Sequence, residues 1–238
     1  MRNSLAIAAI GAALAGAPAW AYRPYDSTDA DTLEDHELEI ELGWRDLTAP
    51  SDGERAVDAV FNYGIGHSRE VILEGSWLRT PSANGGWNSS ISDVALKLKQ
   101  LHRRGVLQGE RGLSIASECG VLIPTSSEES GPGGECTLIA SHRNSVLSFH
   151  LDAGVAYETD HRWSNAIALV VEGQESWRWK PGLELRHEHV EGESAEFSAL
   201  LGLTWRASNT LALDAAYRRW LEPSSDPDEW RIGMTWSH

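Results

Sequence analysis

The sequence predicts an all-β chain, an antiparallel up-and-down transmembrane β-barrel of about 12 strands. Three observations predict it. Apolar and polar residues alternate with a period of two along most of the chain, which gives each strand one greasy and one polar face. The connections alternate between tight turns and longer polar loops, which a two-sheet sandwich has no reason to show. Aromatic residues gather near strand ends (Trp44, Tyr63, Trp77, Tyr157, Trp177, Trp205, Trp230 and Trp236), where interfacial girdles would lie.

The template is the hairpin Val57 to Trp77. Val57, Ala59, Phe61 and Tyr63 share one face, as do Val71, Leu73, Gly75 and Trp77 beyond the turn Gly64-Ile65-Gly66-His67-Ser68. Asp58, Asn62, Glu70 and Glu74 occupy the other face. In a barrel the greasy face meets lipid and the acidic face a polar lumen. In a soluble periplasmic β-sandwich, the alternative reading, the greasy face would meet a second sheet.

The remaining elements follow in order. Residues 1–21 read as a secretory signal, with Arg2, an apolar run from Leu5 to Ala15 and a small-x-small site at Ala19-Trp20-Ala21. Residues 22–35 form a polar, acidic lead-in, and residues 36–238 the barrel. The first strand sets Leu38, Ile40, Leu42 and Trp44 against Glu37, Glu39 and Glu41. The loop after the template hairpin spans Thr80 to Ser90. The fourth strand opposes Val94, Leu96 and Leu98 to Asp93, Lys97 and Lys99. Further strands are expected at Gly112 to Ile123, Glu135 to Ser141, Leu147 to Tyr157 and Asn165 to Glu172, the last too apolar throughout to assign its facing. The ninth strand begins at Trp177, with Pro181 marking a bulge. Phe197 to Trp205, Leu211 to Tyr217 and Trp230 to His238 complete the set.

Composition narrows the function. The net charge is −15, which argues against nucleic acid as a partner. No apolar stretch approaches the roughly 18 residues of a transmembrane helix. Two cysteines are too few for a disulfide framework, but Cys119 and Cys136 flank one loop on adjacent strands and form a candidate disulfide.

Several motifs also resemble one family. Thr28-Asp29-Ala30 before the first strand, Tyr63-Gly64-Ile65-Gly66 at the first turn, Ser92 to Lys99 in the fourth strand and Val121-Leu122-Ile123-Pro124-Thr125 closing the fifth occur in that order in the outer-membrane proteins of the MetA-pathway-of-phenol-degradation family. The resemblance implies passage of small, often aromatic, molecules across the bacterial outer membrane. His238 departs from the pattern, because such proteins usually finish on Phe or Trp at the last outward position.

The expected function is a channel for passive passage of small solutes. Its partners would be outer-membrane lipid, the solute, and the barrel-assembly machinery during biogenesis; no cofactor is implied. The candidate lumen residues are Glu37, Glu39, Glu41, Asp58, Glu70 and Glu74 on one arc and Arg178, Lys180, Arg186, Arg206 and Arg218 on another, with Glu184 and Asp214 among them. Opposed arcs could set a transverse field across the bore, or the charges could simply pair. Whether the lumen is open, or plugged by its side chains and the lead-in, is left open. His187 and His189 read as a solvated loop pair, too few for a metal. The acidic loops Ser126 to Glu129 and Ser224 to Glu229 lack an EF-hand pattern. For an enzyme, the suggestive cluster is Ser148, His150 and Asp152, but residues two apart on a strand are about 6.5–7 Å apart, beyond hydrogen-bond reach.

Overall fold

A computed structural model describes residues 23–47, 53–82, 84–126, 129–221 and 228–238. The expected signal, at 1–21, lies outside them. Twelve antiparallel strands close into one barrel: β1 (Leu38–Leu47), β2 (Arg55–Gly64), β3 (Arg69–Pro81), β4 (Trp87–Arg103), β5 (Ser114–Ile123), β6 (Gly133–Arg143), β7 (Leu147–Tyr157), β8 (Trp163–Gly173), β9 (Trp179–Val190), β10 (Glu196–Arg206), β11 (Leu211–Trp220) and β12 (Glu229–Ser237). Each strand pairs with its sequence neighbours, and β1 pairs with β12 from Glu39↔Ser237 to Leu47↔Glu229. A single closed sheet overturns the sandwich alternative, since the described residues hold no second sheet for the greasy faces to cover.

The burial pattern is inverted relative to a soluble protein. Leu96, Leu151, Ile167, Leu201 and Ile232 point outward and are exposed. Glu39, Glu70, Lys99 and Glu184 point inward and are buried. The residues that alternation placed on the greasy face are the outward ones, because a pleated strand leaves no other choice once the polar set turns inward. The facing of β8 is also settled: Ser164, Ala166, Ala168, Val170 and Glu172 line the inside, and Ile167 and Leu169 the outside.

Three expectations need correction. The loop assigned to Thr80 to Ser90 is largely strand, because β3 runs to Pro81 and β4 starts at Trp87. The pairs Leu78↔Ser90, Arg79↔Ser89 and Thr80↔Asn88 continue the ladder, and Arg55 and Arg79 lie over the Trp87 ring, each 5.2 Å from its centroid. Pro181 marks no bulge: it pairs with Leu203 in regular register, while the β8 ladder stops one residue on at Glu172↔Gly182, so its missing N–H is not needed there. The register shifts fall instead between Glu74 and Ser76 and between Leu101 and Arg103. Trp177 and Arg178 precede β9 and belong to its turn.

Short turns join β2–β3, β6–β7, β8–β9 and β10–β11 at one end, which also carries the start of β1 and the end of β12. The connection between β4 and β5 at this end is longer and contains a 3-10 turn, Val106–Gln108. His238, beyond β12, exchanges backbone bonds with Leu38 and stacks on Trp236 with centroids 5.6 Å apart.

Replacing the outward Leu201, 63% exposed, by Arg should lower the stability of vesicle-folded protein by about 2–4 kcal/mol if that face meets lipid near the bilayer centre. On a water-facing surface the same change would stay within about 0.5 kcal/mol. Denaturant unfolding in phospholipid vesicles distinguishes the two.

A candidate solute path through a lumen threaded by the lead-in

The lumen holds more than strand side chains. Residues 23–37 turn into the barrel at the short-turn end, where the His36 amide donates to the Gly64 carbonyl at 2.9 Å. From there the segment crosses the interior and bonds to the wall almost residue by residue. The Leu33 amide donates to Glu70 Oε2 at 2.8 Å, and the Ala30 amide to Ser141 Oγ at 2.8 Å. The Thr28 amide donates to Asp152 Oδ2 at 2.9 Å, while Lys99 Nζ donates to Thr28 Oγ1 at 3.0 Å. The Asp26 and Ser27 amides both reach Glu184 Oε2 at 3.0 Å. Ala30 packs against inward-facing Ala116 and Ile139, all three fully buried. An irregular segment has no ladder for its amides, so the wall supplies acceptors one at a time.

Space for this segment comes from glycines. Gly43↔Gly233 and Gly182↔Gly202 are register pairs on inward positions of β1/β12 and β9/β10. A Cβ at Gly43 or Gly233 would collide with the Arg23 guanidinium, and one at Gly182 or Gly202 with Tyr25 or Pro24. The longer β4–β5 connection also serves the segment: Gln108 Nε2 donates to the Ala30 carbonyl at 3.1 Å and to Asp31 Oδ1 at 2.9 Å.

The charges are matched across strands and through the lead-in. Arg218 on β11 donates to Glu184 on β9 and to Asp26, each at 2.5 Å. Arg231 on β12 pairs with Glu229 and Asp26 and donates to the Pro24 carbonyl at 3.0 Å. On the acidic arc, Arg45 forks onto Asp58 at 2.8 and 3.0 Å, and Lys99 lies 3.7 Å from Glu70. Lys97 sits among Glu74 at 2.7 Å, Glu135 at 2.8 Å and Glu118 at 3.4 Å. Glu39 accepts from the Ser237 hydroxyl and Glu41 from Asn62.

Most of the expected lumen residues do face inward. Glu39, Glu41, Asp58, Glu70, Glu74, Lys180, Arg186 and Arg218 line the interior, with Lys180 on Glu172 and Arg186 on Glu188, both at 2.9 Å. Glu37 stands at the rim and accepts the Glu34 amide. Arg206 lies at the short-turn end, bonded to the Glu175 carbonyl. Arg178 is a correction: it is exposed in the β8–β9 turn, with its guanidinium 5.9 Å from the centroid of the Trp205 ring. The two arcs are therefore not bare opposed patches. Lys97, Lys99 and Arg45 rise within the acidic arc, and Glu172, Glu184 and Glu188 within the basic one.

Two cavities flank the lead-in among the described residues. Towards the short turns a small cavity of about 40 Å³ is bounded by Tyr25, Ser27, His150, Glu172, Lys180 and Arg206. Towards the long loops a cavity of about 370 Å³ opens, with Asp26, Thr28 and Asp152 at its lead-in side. In the loop bordering it, the Ser126 amide, the Thr159 hydroxyl and the Thr125 amide hold the Glu129 carboxyl below its ordinary value.

The other candidates resolve as follows. Ser148, His150 and Asp152 all point inward but bind different groups: Ser148 takes Arg143, and Asp152 takes Thr28. His150 instead meets Ser141 across the strand pair, Nδ1 to Oγ at 2.8 Å, with Glu172 3.5 Å from Nε2. Ser141 is fully buried and already accepts the Ala30 amide, so this trio braces the lead-in and presents no exposed nucleophile. His187 and His189 are not in a loop; they lie in β9 and point outward. No group of three or more metal-binding side chains occurs among the described residues. Of the acidic loops, 127–128 and 222–227 lie outside the described residues, while Glu229 belongs to β12 and pairs with Arg231. Cys119 and Cys136 are direct register partners on β5 and β6, point outward, and are joined Sγ to Sγ at 2.01 Å.

Comparison with known proteins gives structural likeness only. No family model matches the chain, and no curated protein matches it. Among solved structures it is similar to an outer-membrane channel from Pseudomonas putida F1, at TM-score 0.67 and 10% identity over 90% of this chain and 99% of that one. It is also similar to the NanC porin, at TM-score 0.61 and 9% identity over 84% and 98%. The KdgM porin aligns at TM-score 0.58 and 10% identity over 83% and 99%. At these identities the likeness concerns the fold.

Two measurements test this interior. Arg218→Met leaves buried Glu184 without its cation and should cost about 3–5 kcal/mol of unfolding free energy in vesicles. Arg186→Met, whose partner Glu188 is 36% exposed, should cost no more than about 1 kcal/mol. Equal costs would contradict the assignment of the central network. Mass spectrometry after alkylation without reductant should find Cys119 and Cys136 unmodified; two alkylated thiols would refute the bond.

Proposed function

We propose that this chain is an outer-membrane channel for passive passage of small solutes. The observation that carries the reading is the inside-out barrel: an apolar exterior encloses a polar bore with a cavity on each side of the lead-in. A closed sheet satisfies every strand hydrogen bond internally, the condition for a β-structure to sit in hydrocarbon. A polar bore with charges held in fixed places gives hydrated solutes a path and a filter.

In this reading residues 1–21 are a cleaved secretory signal, and the assembly machinery of the outer membrane inserts the barrel. The short-turn end, where both ends of the sheet meet, faces the periplasm, and the long loops face outward. The lead-in then enters from the periplasmic side and narrows the bore. The motif likeness to the MetA-pathway-of-phenol-degradation proteins supports aromatic compounds as the solute class.

The test is single-channel recording in a planar bilayer, with the complete mature chain beside a variant lacking residues 23–35. The mature chain should open in small steps, and removal of the lead-in should raise the conductance several-fold. Folded, inserted protein that stays silent in both forms would overturn the channel reading.

A further inference from the structure

We infer that the cavity on the long-loop side of the lead-in is a recognition vestibule for small amphiphilic amines, molecules with an ammonium group on a compact apolar body. The inference deepens the channel reading by naming its solute class. The cavity wall carries nine carboxylates against two cations, Lys97 and Arg186. A cleft lined by one sign of charge between low-dielectric walls concentrates the opposite ion. Charge alone would not make a site, but its floor adds an unmatched group. Asp152 is 6% exposed, and only its Oδ2 is used, by the Thr28 amide. Asp152 itself lines the cavity, and its Oδ1 has no hydrogen-bond partner. Leaving a buried carboxylate oxygen unmatched is costly, so the site favours a donor arriving from the cavity.

The wall also shows which donor suits it. Lys97 places its own ammonium among Glu74, Glu118 and Glu135 at 2.7, 3.4 and 2.8 Å, so this side of the bore already solvates a primary ammonium with carboxylates. Between the acids, Ala156, Ala166 and Ala168 on β7 and β8 add small apolar patches to the lining, Ala166 beside Glu188 and Ala168 beside Asp152. The cavity's roughly 370 Å³ exceeds what a bare ion needs and fits a molecule of modest size with one charged end.

The test uses full-length protein in lipid nanodiscs, titrated calorimetrically with 2-phenylethylammonium and, separately, with phenylacetate of similar size and opposite charge. The amine should bind at least about tenfold more tightly than the acid, and Asp152→Asn should remove about that factor, the scale of one charge-assisted hydrogen bond. Because Asp152 also holds Thr28, a second variant, Ala166→Arg, adds a cation to the lining beside Glu188 with no native polar contact to lose; it should weaken amine binding and narrow the preference over the acid. Equal affinity for both probes, or amine binding unmoved by either variant, would overturn the inference. Calcium competing with the amine at equimolar concentration would also overturn it, in favour of a metal site. Liposome uptake of both probes separates the two levels of argument. Amine binding without any uptake defeats the channel reading and leaves the vestibule standing, whereas uptake blind to charge, without binding, does the reverse.

Discussion

The charges at the centre of this barrel have to be matched within the space the strands enclose, and much of the rest of the structure follows from that constraint. Arg218 and Arg231 sit almost wholly out of water and converge on Asp26, with Glu184 and Glu229 completing the cluster. An isolated buried ion is prohibitively costly, so the cluster stands or falls as a unit. Asp26 is the member that does not come from the wall. The lead-in is thus an electrostatic component of the interior, and the barrel without it would carry two guanidiniums facing a gap.

The same constraint explains the sequence of the inner face. Carboxylates that would repel across a narrow bore are interleaved with Lys97, Lys99 and Arg45, and the lead-in's amides take up carboxylate oxygens that no cation reaches. Where the segment needs room, the wall gives up side chains at Gly43, Gly182, Gly202 and Gly233. Where it needs a clasp, the β4–β5 connection lengthens to bring Gln108 onto Ala30 and Asp31. The outside is subject to none of this, which is why it is simple: apolar at the middle and aromatic towards the ends.

The barrel was legible because alternation is a one-dimensional pattern with a one-dimensional cause. Each outward residue meets the same surroundings, so Leu201 or Ile232 announces its facing without reference to the rest of the chain. The path of the lead-in was not legible, since its bonds join residues far apart in sequence and leave no period. Two signals were present. Thr28-Asp29-Ala30, noticed as a motif, is the stretch clasped by Asp152 and Ser141, and the inward glycines break otherwise polar faces at matching heights. Arg178 was misplaced because β9 begins two residues later than the run of aromatics suggests. The Ser141–His150 contact needed the cross-strand register, which no single-strand reading supplies.

The measurement that bears most directly on this account is amide hydrogen exchange of the membrane-inserted protein. If the lead-in fills the lumen, the amides of Asp26, Ser27, Thr28, Ala30 and Leu33, each donating to a wall side chain, should exchange far more slowly than free loop amides and approach the strands in protection. Exchange of those amides as fast as the long loops would place the segment outside the barrel and contradict the account.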